Sequence, residues 1–360
     1  MSLFHLIPLI ISFCLALVLV YPVRYFANKF NIADIPAPRK VHDKVMPLMG
    51  GVAVFLSFTI SILIFWNHLL DGVIEAKHLL GIILASIVIM IGGVIDDKYN
   101  LRARYQIIFP ILATIIVIIA GIGIKYITNP FGGFIHFDQY KILLFWYDGL
   151  PYYFTVIADL FTFAWLMGMM YVTKLLDGLD GLASGIGIIG SLIIYFVSLF
   201  WDVANSATSI LALISAGALL GFLVWNWHPA KIFLGEGGSV LIGFILGVLA
   251  IISGGKIATA LLVMGLPILD VAWVIIRRLF FNHGRIAQAD KKHLHHRLLD
   301  IGLSHRQAVI FLYVITGIFG LISISQQTMG KLTTLGILVL FMVILAFFLV
   351  KKAAKQQSID

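Results

Sequence analysis

Apolar runs of about 20 residues recur along the whole chain, separated by short segments that carry nearly all the polar residues. Each run is long enough for a helix to cross a hydrocarbon core of about 30 Å. They are continuous, without the strict alternation of a barrel strand, and only helices or closed barrels satisfy their backbone in lipid. The pattern predicts an all-α polytopic membrane bundle of eleven spans. They fall near residues 3–22, 48–67, 79–95, 106–125, 153–173, 183–201, 207–226, 238–253, 257–276, 307–325 and 332–350. No internal repeat is visible, so the chain reads as one integral membrane domain over 1–360.

Composition agrees. Of 360 residues, 61% are hydrophobic and 12% charged, where a soluble surface needs about 25% charged residues. The N-terminus has no Lys or Arg ahead of its apolar run and no small-x-small cleavage site, so a retained helix is expected. Cys14, the one cysteine, lies in that run and is expected to be a packing residue. The net charge of +8 invites a nucleic-acid reading, but its distribution argues for topology instead. With eleven spans, one side of the membrane carries twenty Lys and Arg and the other five. Basic residues concentrate in the cytoplasm, so the N-terminus is expected outside and the C-terminus inside. The expected cytoplasmic loops are 23–47, 96–105, 174–182, 227–239 and 277–306. On the other side, 126–152 is expected to form a short hairpin or lie in the interface.

Five segments on the expected cytoplasmic side carry the chemistry. Asp96-Asp97 closes the third span. Adjacent carboxylates at a membrane boundary resist desolvation and repel each other, so they mark either a solvated helix end or a site for magnesium or phosphate. Lys174-Leu-Leu-Asp177-Gly-Leu-Asp180-Gly leaves the fifth span with two aspartates three apart, spaced to share a helix face. Phe233-Leu-Gly-Glu236-Gly-Gly-Ser239 enters the eighth span. There a carboxylate among glycines precedes a helix start, where N–H groups face a phosphate, or where Ser239 is simply an N-cap. Asp290-Lys-Lys-His293-Leu-His295-His296-Arg297 supplies a cationic clamp with proton-carrying histidines, a basic loop against anionic lipid being the plainer alternative. Arg39-Lys40-Val41-His42 completes the set. Asp270, two turns inside the ninth span, is a functional candidate or a partner of Arg277 or Arg278. Asp159 is given no role.

In this order, from residue 39 to 306, the segments resemble the polyprenyl-phosphate N-acetylhexosamine-1-phosphate transferases of glycosyltransferase family 4, over about three quarters of the chain. His293-Leu-His295-His296 is more similar to the N-acetylglucosamine branch than to the muramyl-pentapeptide branch. The resemblance implies a bacterial cytoplasmic-membrane enzyme, its active site at the cytoplasmic face, that joins a UDP-N-acetylhexosamine to undecaprenyl phosphate and releases UMP. The expected cofactor is Mg²⁺, with Mn²⁺ as a substitute, and a homodimer is among the expected assemblies. Asp96 and Asp97 would be catalytic. Lys40, His42, Lys174, Asp177, Asp180, His293, His295, His296 and Arg297 would hold substrate, and Glu236, Asp97 and Asp177 the metal. Two residues depart from the family pattern: Lys174 stands where asparagine is usual, and Glu236 where aspartate is usual. A secondary transporter and a non-catalytic carrier-lipid binder are the readings from other classes. The first expects broken spans and midplane charges, the second loss of catalytic groups.

Overall fold

The computed structural model describes residues 6–36, 44–70, 74–147, 150–201, 206–254, 256–281 and 293–356. The fold is a helical membrane bundle. Its first half comprises α1 (Ile7–Lys29), α2 (Gly50–Ile64), α3 (Trp66–Leu69), α4 (Ala76–Tyr99), α5 (Ala103–Gln106), α6 (Ile108–Ile119) and α7 (Val156–Leu176). The second half comprises α8 (Leu182–Trp201), α9 (Ala207–Asn226), α10 (Gly235–Ile252), α11 (Ile257–Val263), α12 (Gly265–Phe281), α13 (Leu294–Asp300), α14 (His305–Ser325) and α15 (Thr328–Gln356). Among the described residues, eight helices are long and apolar enough to cross a membrane, or nine if the bent pair of α11 and α12 counts as one span. The second and fourth predicted spans are shorter apolar helices, over Gly50–Ile64 and Ala103–Ile119.

The ninth span, expected to be continuous, bends by 73°. Its cause is legible in Gly265-Leu266-Pro267: proline has no N–H to give to the preceding turn, so it fits a new first turn and not a continuing helix. Short β1 (Ala33–Asp34) and β2 (Met46–Pro47) pair antiparallel between the first two apolar helices. The segment expected as one hairpin is two. Antiparallel β3 (Tyr126–Thr128) and β4 (Phe134–His136) form the first, β5 (Lys141–Tyr147) and β6 (Leu150–Thr155) the second. β6 delays the fifth span to Val156. Asp159 has a part in this boundary, since its Oδ2 accepts the Thr155 N–H at 2.7 Å.

α10 is buried on every face from Gly237 to Ile251, the mark of a helix at the centre of a membrane bundle. Around it pack α2, α4, α7, α8 and α9. Outer helices turn large apolar residues outward, among them Val18 on α1 and Phe347 on α15, where lipid is their solvent. α14 starts in a capping box, Ser304 accepting from the Gln307 N–H and Gln307 reaching back to the Ser304 N–H.

Candidate active site

The site begins with glycines that let three helices touch backbone to backbone. A Cβ on Gly93 of α4 would strike the Gly237 backbone of α10, and one on Gly51 of α2 would strike Gly238. The start of α10 is thus wedged between α2 and α4, and it is fastened by Gly50 and Gly51 N–H groups donating to Phe233 and Leu234 carbonyls at 2.9 and 2.7 Å. Gly235 sits at φ +78, a conformation open to glycine, and a side chain there would collide with the Asp97 carboxylate. The positive dipole end of α10 consequently faces Asp97, whose Oδ1 accepts the Glu236 N–H at 2.9 Å. Ser239, expected as a possible cap, lies inside α10 and donates to the Glu236 carbonyl at 3.1 Å.

Asp96 and Asp97 diverge. Asp96 is 7% exposed, and its Oδ1 accepts the Leu101 N–H at 2.7 Å and Gln106 Nε2 at 3.1 Å. Gln106 turns its Oε1 to Lys174 Nζ at 2.9 Å, and Lys174 pairs with Glu236 Oε2 at 2.7 Å. With the Glu236 N–H on Asp97, a chain of polar contacts runs from Asp96 through Gln106, Lys174 and Glu236 to Asp97. Lys174, expected to bind substrate, is here the partner of the other residue that departs from the family pattern. Sequence reasoning misses Gln106. Its signal is an amide opening an apolar run close after Asp96.

Asp177 and Asp180 do not share a helix face. α7 stops at Leu176, residues 177–181 turn, and α8 starts at Leu182, with Gly181 at φ +80. Asn226, at the end of α9, fixes this turn by accepting the Gly181 N–H at 3.0 Å. The Asp177 carboxyl is pushed up to about 8, first by burial and then by Glu236, Asp180 and Asp97. Asp180 Oδ2 is engaged by His228 Nδ1 at 2.7 Å and by the Ala230 N–H at 3.1 Å. His228 stacks on His305 with centroids 4.0 Å apart and planes 15° apart, and Arg306 grips the His228 carbonyl at 3.0 and 2.8 Å. His228, His305 and Arg306 also escape the sequence reading; they stand in a loop and a helix start, with no spacing that signals a site.

Of the histidine segment, His296 reaches the cavity, while His293 and His295 are 9% and 3% exposed. His293 Nδ1 meets Asp270 Oδ2 at 2.9 Å. His295 lies on Gly178, where a Cβ would strike its ring, and burial pushes its basicity well down. Arg297 is partly buried on α13. Lys40, His42 and Asp290 lie outside the described residues.

These parts surround one cavity of about 1110 Å³ at a single end of the bundle, lined by Asp96, Asp97, Lys174, Asp177, Asp180, Glu236, His228, His296 and His305. The expected metal set, Asp97, Asp177 and Glu236, opens onto it. The closest ligand-type trio among the described residues is a different one: Asp180, His228 and His305, with one ligand atom each within 4.8 Å. That trio suits a metal poorly. Its two rings are nearly parallel, so their in-plane lone pairs run side by side, and Asp180 Oδ2 is already taken. The carboxylate set suits magnesium better: its three members offer hard oxygen donors to one cavity, and magnesium keeps several waters and needs few direct protein ligands.

Comparison with known proteins finds relatives of this sequence. Residues 79–254 match the family described as glycosyl transferase family 4. The chain is 32% identical over 349 residues to the probable undecaprenyl-phosphate N-acetylglucosaminyl 1-phosphate transferase of Bacillus subtilis, covering 94% of this chain and 90% of that one. It is 33% identical to the decaprenyl-phosphate N-acetylglucosaminephosphotransferase of Mycolicibacterium smegmatis, covering 82% and 75%. With the undecaprenyl-phosphate alpha-N-acetylglucosaminyl 1-phosphate transferase of Thermotoga maritima, identity is 28% over 88% of each chain.

Proposed function

Because this chain belongs to glycosyl transferase family 4, with the polyprenyl-phosphate N-acetylglucosamine-1-phosphate transferases, we propose that its cavity is where N-acetylglucosamine-1-phosphate passes from UDP-N-acetylglucosamine to undecaprenyl phosphate. An oxygen of the lipid phosphate attacks the phosphorus that bears the sugar, the bond from that phosphorus to UMP breaks, and UMP leaves. The protein sits in the bacterial cytoplasmic membrane with the cavity on the cytoplasmic side, as the twenty-to-five split of basic residues supports.

The observation that carries this reading is convergence. Five carboxylates from the end of α4, the turn after α7 and the start of α10 share one cavity with Lys174 and His296. Reaction between two phosphates needs positive charge against anion repulsion and a base close to the attacking oxygen. Asp97, held by the Glu236 N–H, and Asp96, held by Leu101 and Gln106, orient the lipid phosphate and take its proton. Asp97, Asp177 and Glu236 would hold Mg²⁺, or Mn²⁺ in its place; what such an ion supplies when bound is neutralisation of diphosphate oxygens. Lys174, released from Glu236 when that carboxylate turns to a cation, is free to meet a substrate phosphate. Asp180 and His228 stand beside it for the nucleotide, and His296 for the diphosphate.

Purified protein given radiolabelled UDP-N-acetylglucosamine, undecaprenyl phosphate and Mg²⁺ should release UMP and form a labelled lipid diphosphate. UDP-MurNAc-pentapeptide should give no such product. Unchanged UMP release from Asp96→Asn and Asp97→Asn would overturn the assignment.

A further inference from the structure

Asp270 stands on α12, in the half of the bent span that comes after the break, and a carboxylate there is costly unless something holds it. Both its oxygens are engaged by one short segment. Oδ2 meets His293 Nδ1 at 2.9 Å, and Oδ1 accepts the Leu294 N–H at 2.9 Å. α13 has seven residues and no side-chain bond from its own N-cap, His293. Asp270 therefore supplies from another helix the acceptor that the first turn lacks. The two side chains are largely closed to solvent, 11% exposed for His293 and 14% for Asp270.

The residues next to His293 extend the reach of this contact. The His293 and His295 rings lie parallel within 2°, with centroids 5.8 Å apart. His295 fills the space over Gly178, between Asp177 and Asp180. His296, the next residue, lines the cavity. We propose that Asp270 is a positioning residue for the transfer reaction: by fixing His293 and the start of α13 it holds the histidine segment against the Asp177–Asp180 turn. It touches no substrate and acts through His293. A carboxylate only accepts, so the bond puts a proton on Nδ1, and in the neutral ring that sets the tautomer and leaves the lone pair on Nε2. The inference deepens the reaction proposed above and rests on it for the effect on turnover, though not for the tautomer.

Asp270→Asn isolates the effect. The amide oxygen can still accept the Leu294 N–H, which leaves the NH₂ facing His293. Nδ1 must then accept, and the proton moves to Nε2. In full-length protein in nanodiscs, ¹⁵N-histidine spectra should show the Nδ1–H form of His293 in the wild type and the Nε2–H form in Asp270→Asn, with His293→Asn identifying the signal. That readout needs no activity, so it stands even if the transfer reaction is misassigned. In the UMP assay, Asp270→Asn should lower kcat roughly 10–100-fold, the usual scale for groups that orient a working residue, with KM for UDP-N-acetylglucosamine within about threefold. Combined with His293→Asn it should cost no more than His293→Asn alone, and Asp270→Glu should recover part of the rate. An unchanged tautomer, an unchanged kcat, or effects that multiply in the double variant would each overturn the proposal. A wild-type protein that releases no UMP would sink the reaction but leave the tautomer test intact.

Discussion

On one side of the cavity the ends of α4, α7 and α10 carry Asp96, Asp97, Lys174 and Glu236; on the other, α13, the start of α14 and the loop after α9 carry the histidines. The carboxylate side is placed by backbone packing: Gly93 on Gly237 and Gly51 on Gly238 leave no room for a Cβ, and like charges are held together because the helices that bear them cannot separate. The histidine side is placed by side-chain hydrogen bonds instead, Asp270 to His293 and the Leu294 N–H, Asp180 to His228, Arg306 to the His228 carbonyl. Rigid backbone suits groups that repel one another.

This contrast breaks most visibly at the helix crossing. Gly93→Val forces a branched side chain into the Gly237 backbone, which has no flexible end to move aside. Overpacking typically costs about 1–3 kcal/mol and more against backbone, so the variant should lose its sharp thermal transition in detergent together with all UMP release. A folded, active Gly93→Val would mean the crossing is looser than the backbone contact requires. Next in size is Asp97→Asn, which keeps shape and removes the charge. Loss of a positioned base should lower kcat by about 10²–10⁴-fold, while the melting temperature stays or rises because a repulsive neighbour of Asp177 is gone. A fall in both would place Asp97 in the scaffold instead.

The same division explains what is legible in the sequence. Hydrophobic runs mark the spans, because lipid demands continuous apolar helix, and carboxylates at span ends mark the acidic side, because they are too costly there to be idle. Gln106 and Asn226 escape, since an amide at a helix end looks like any boundary residue until its partner, 68 or 45 residues away, is known. The pairing of Lys174 with Glu236 is foreseeable only as two departures from a pattern; their 2.7 Å contact is a tertiary fact. The bend at Gly265-Leu266-Pro267 is written in the chain but outweighed by hydropathy. As for the transporter reading, the bend meets one of its expectations, yet the carboxylates share one end of the bundle and not its middle.

Titration sharpens the acidic side further. Asp177, at 3.8 in an unfolded chain and about 8 here, binds its proton more tightly when folded. Without a divalent cation, stability therefore falls as pH climbs from about 4 through about 8, because the unfolded chain has already lost that proton. A cation held by Asp177 would compete with the same proton, so its affinity should rise roughly tenfold between pH 7 and 9, read by Mn²⁺ binding calorimetry without substrate. A pH-independent affinity would remove Asp177 from the cation's ligands.

The smallest effect belongs to the other side. The Tyr313 hydroxyl on α14 donates to the Gly181 carbonyl, in the turn that carries Asp177 and Asp180, and its ring occupies the space that Gly185 leaves open. Tyr313→Phe keeps the ring and removes one bond, worth about 1 kcal/mol. If the histidine side is a set of separate fastenings, this loss should add to that of Arg306→Ala, which frees the His228 carbonyl, within about 0.5 kcal/mol in a double-mutant cycle. Coupling well beyond that would mean α14 and the turn move as one body, and that the two sides of the cavity are built alike after all.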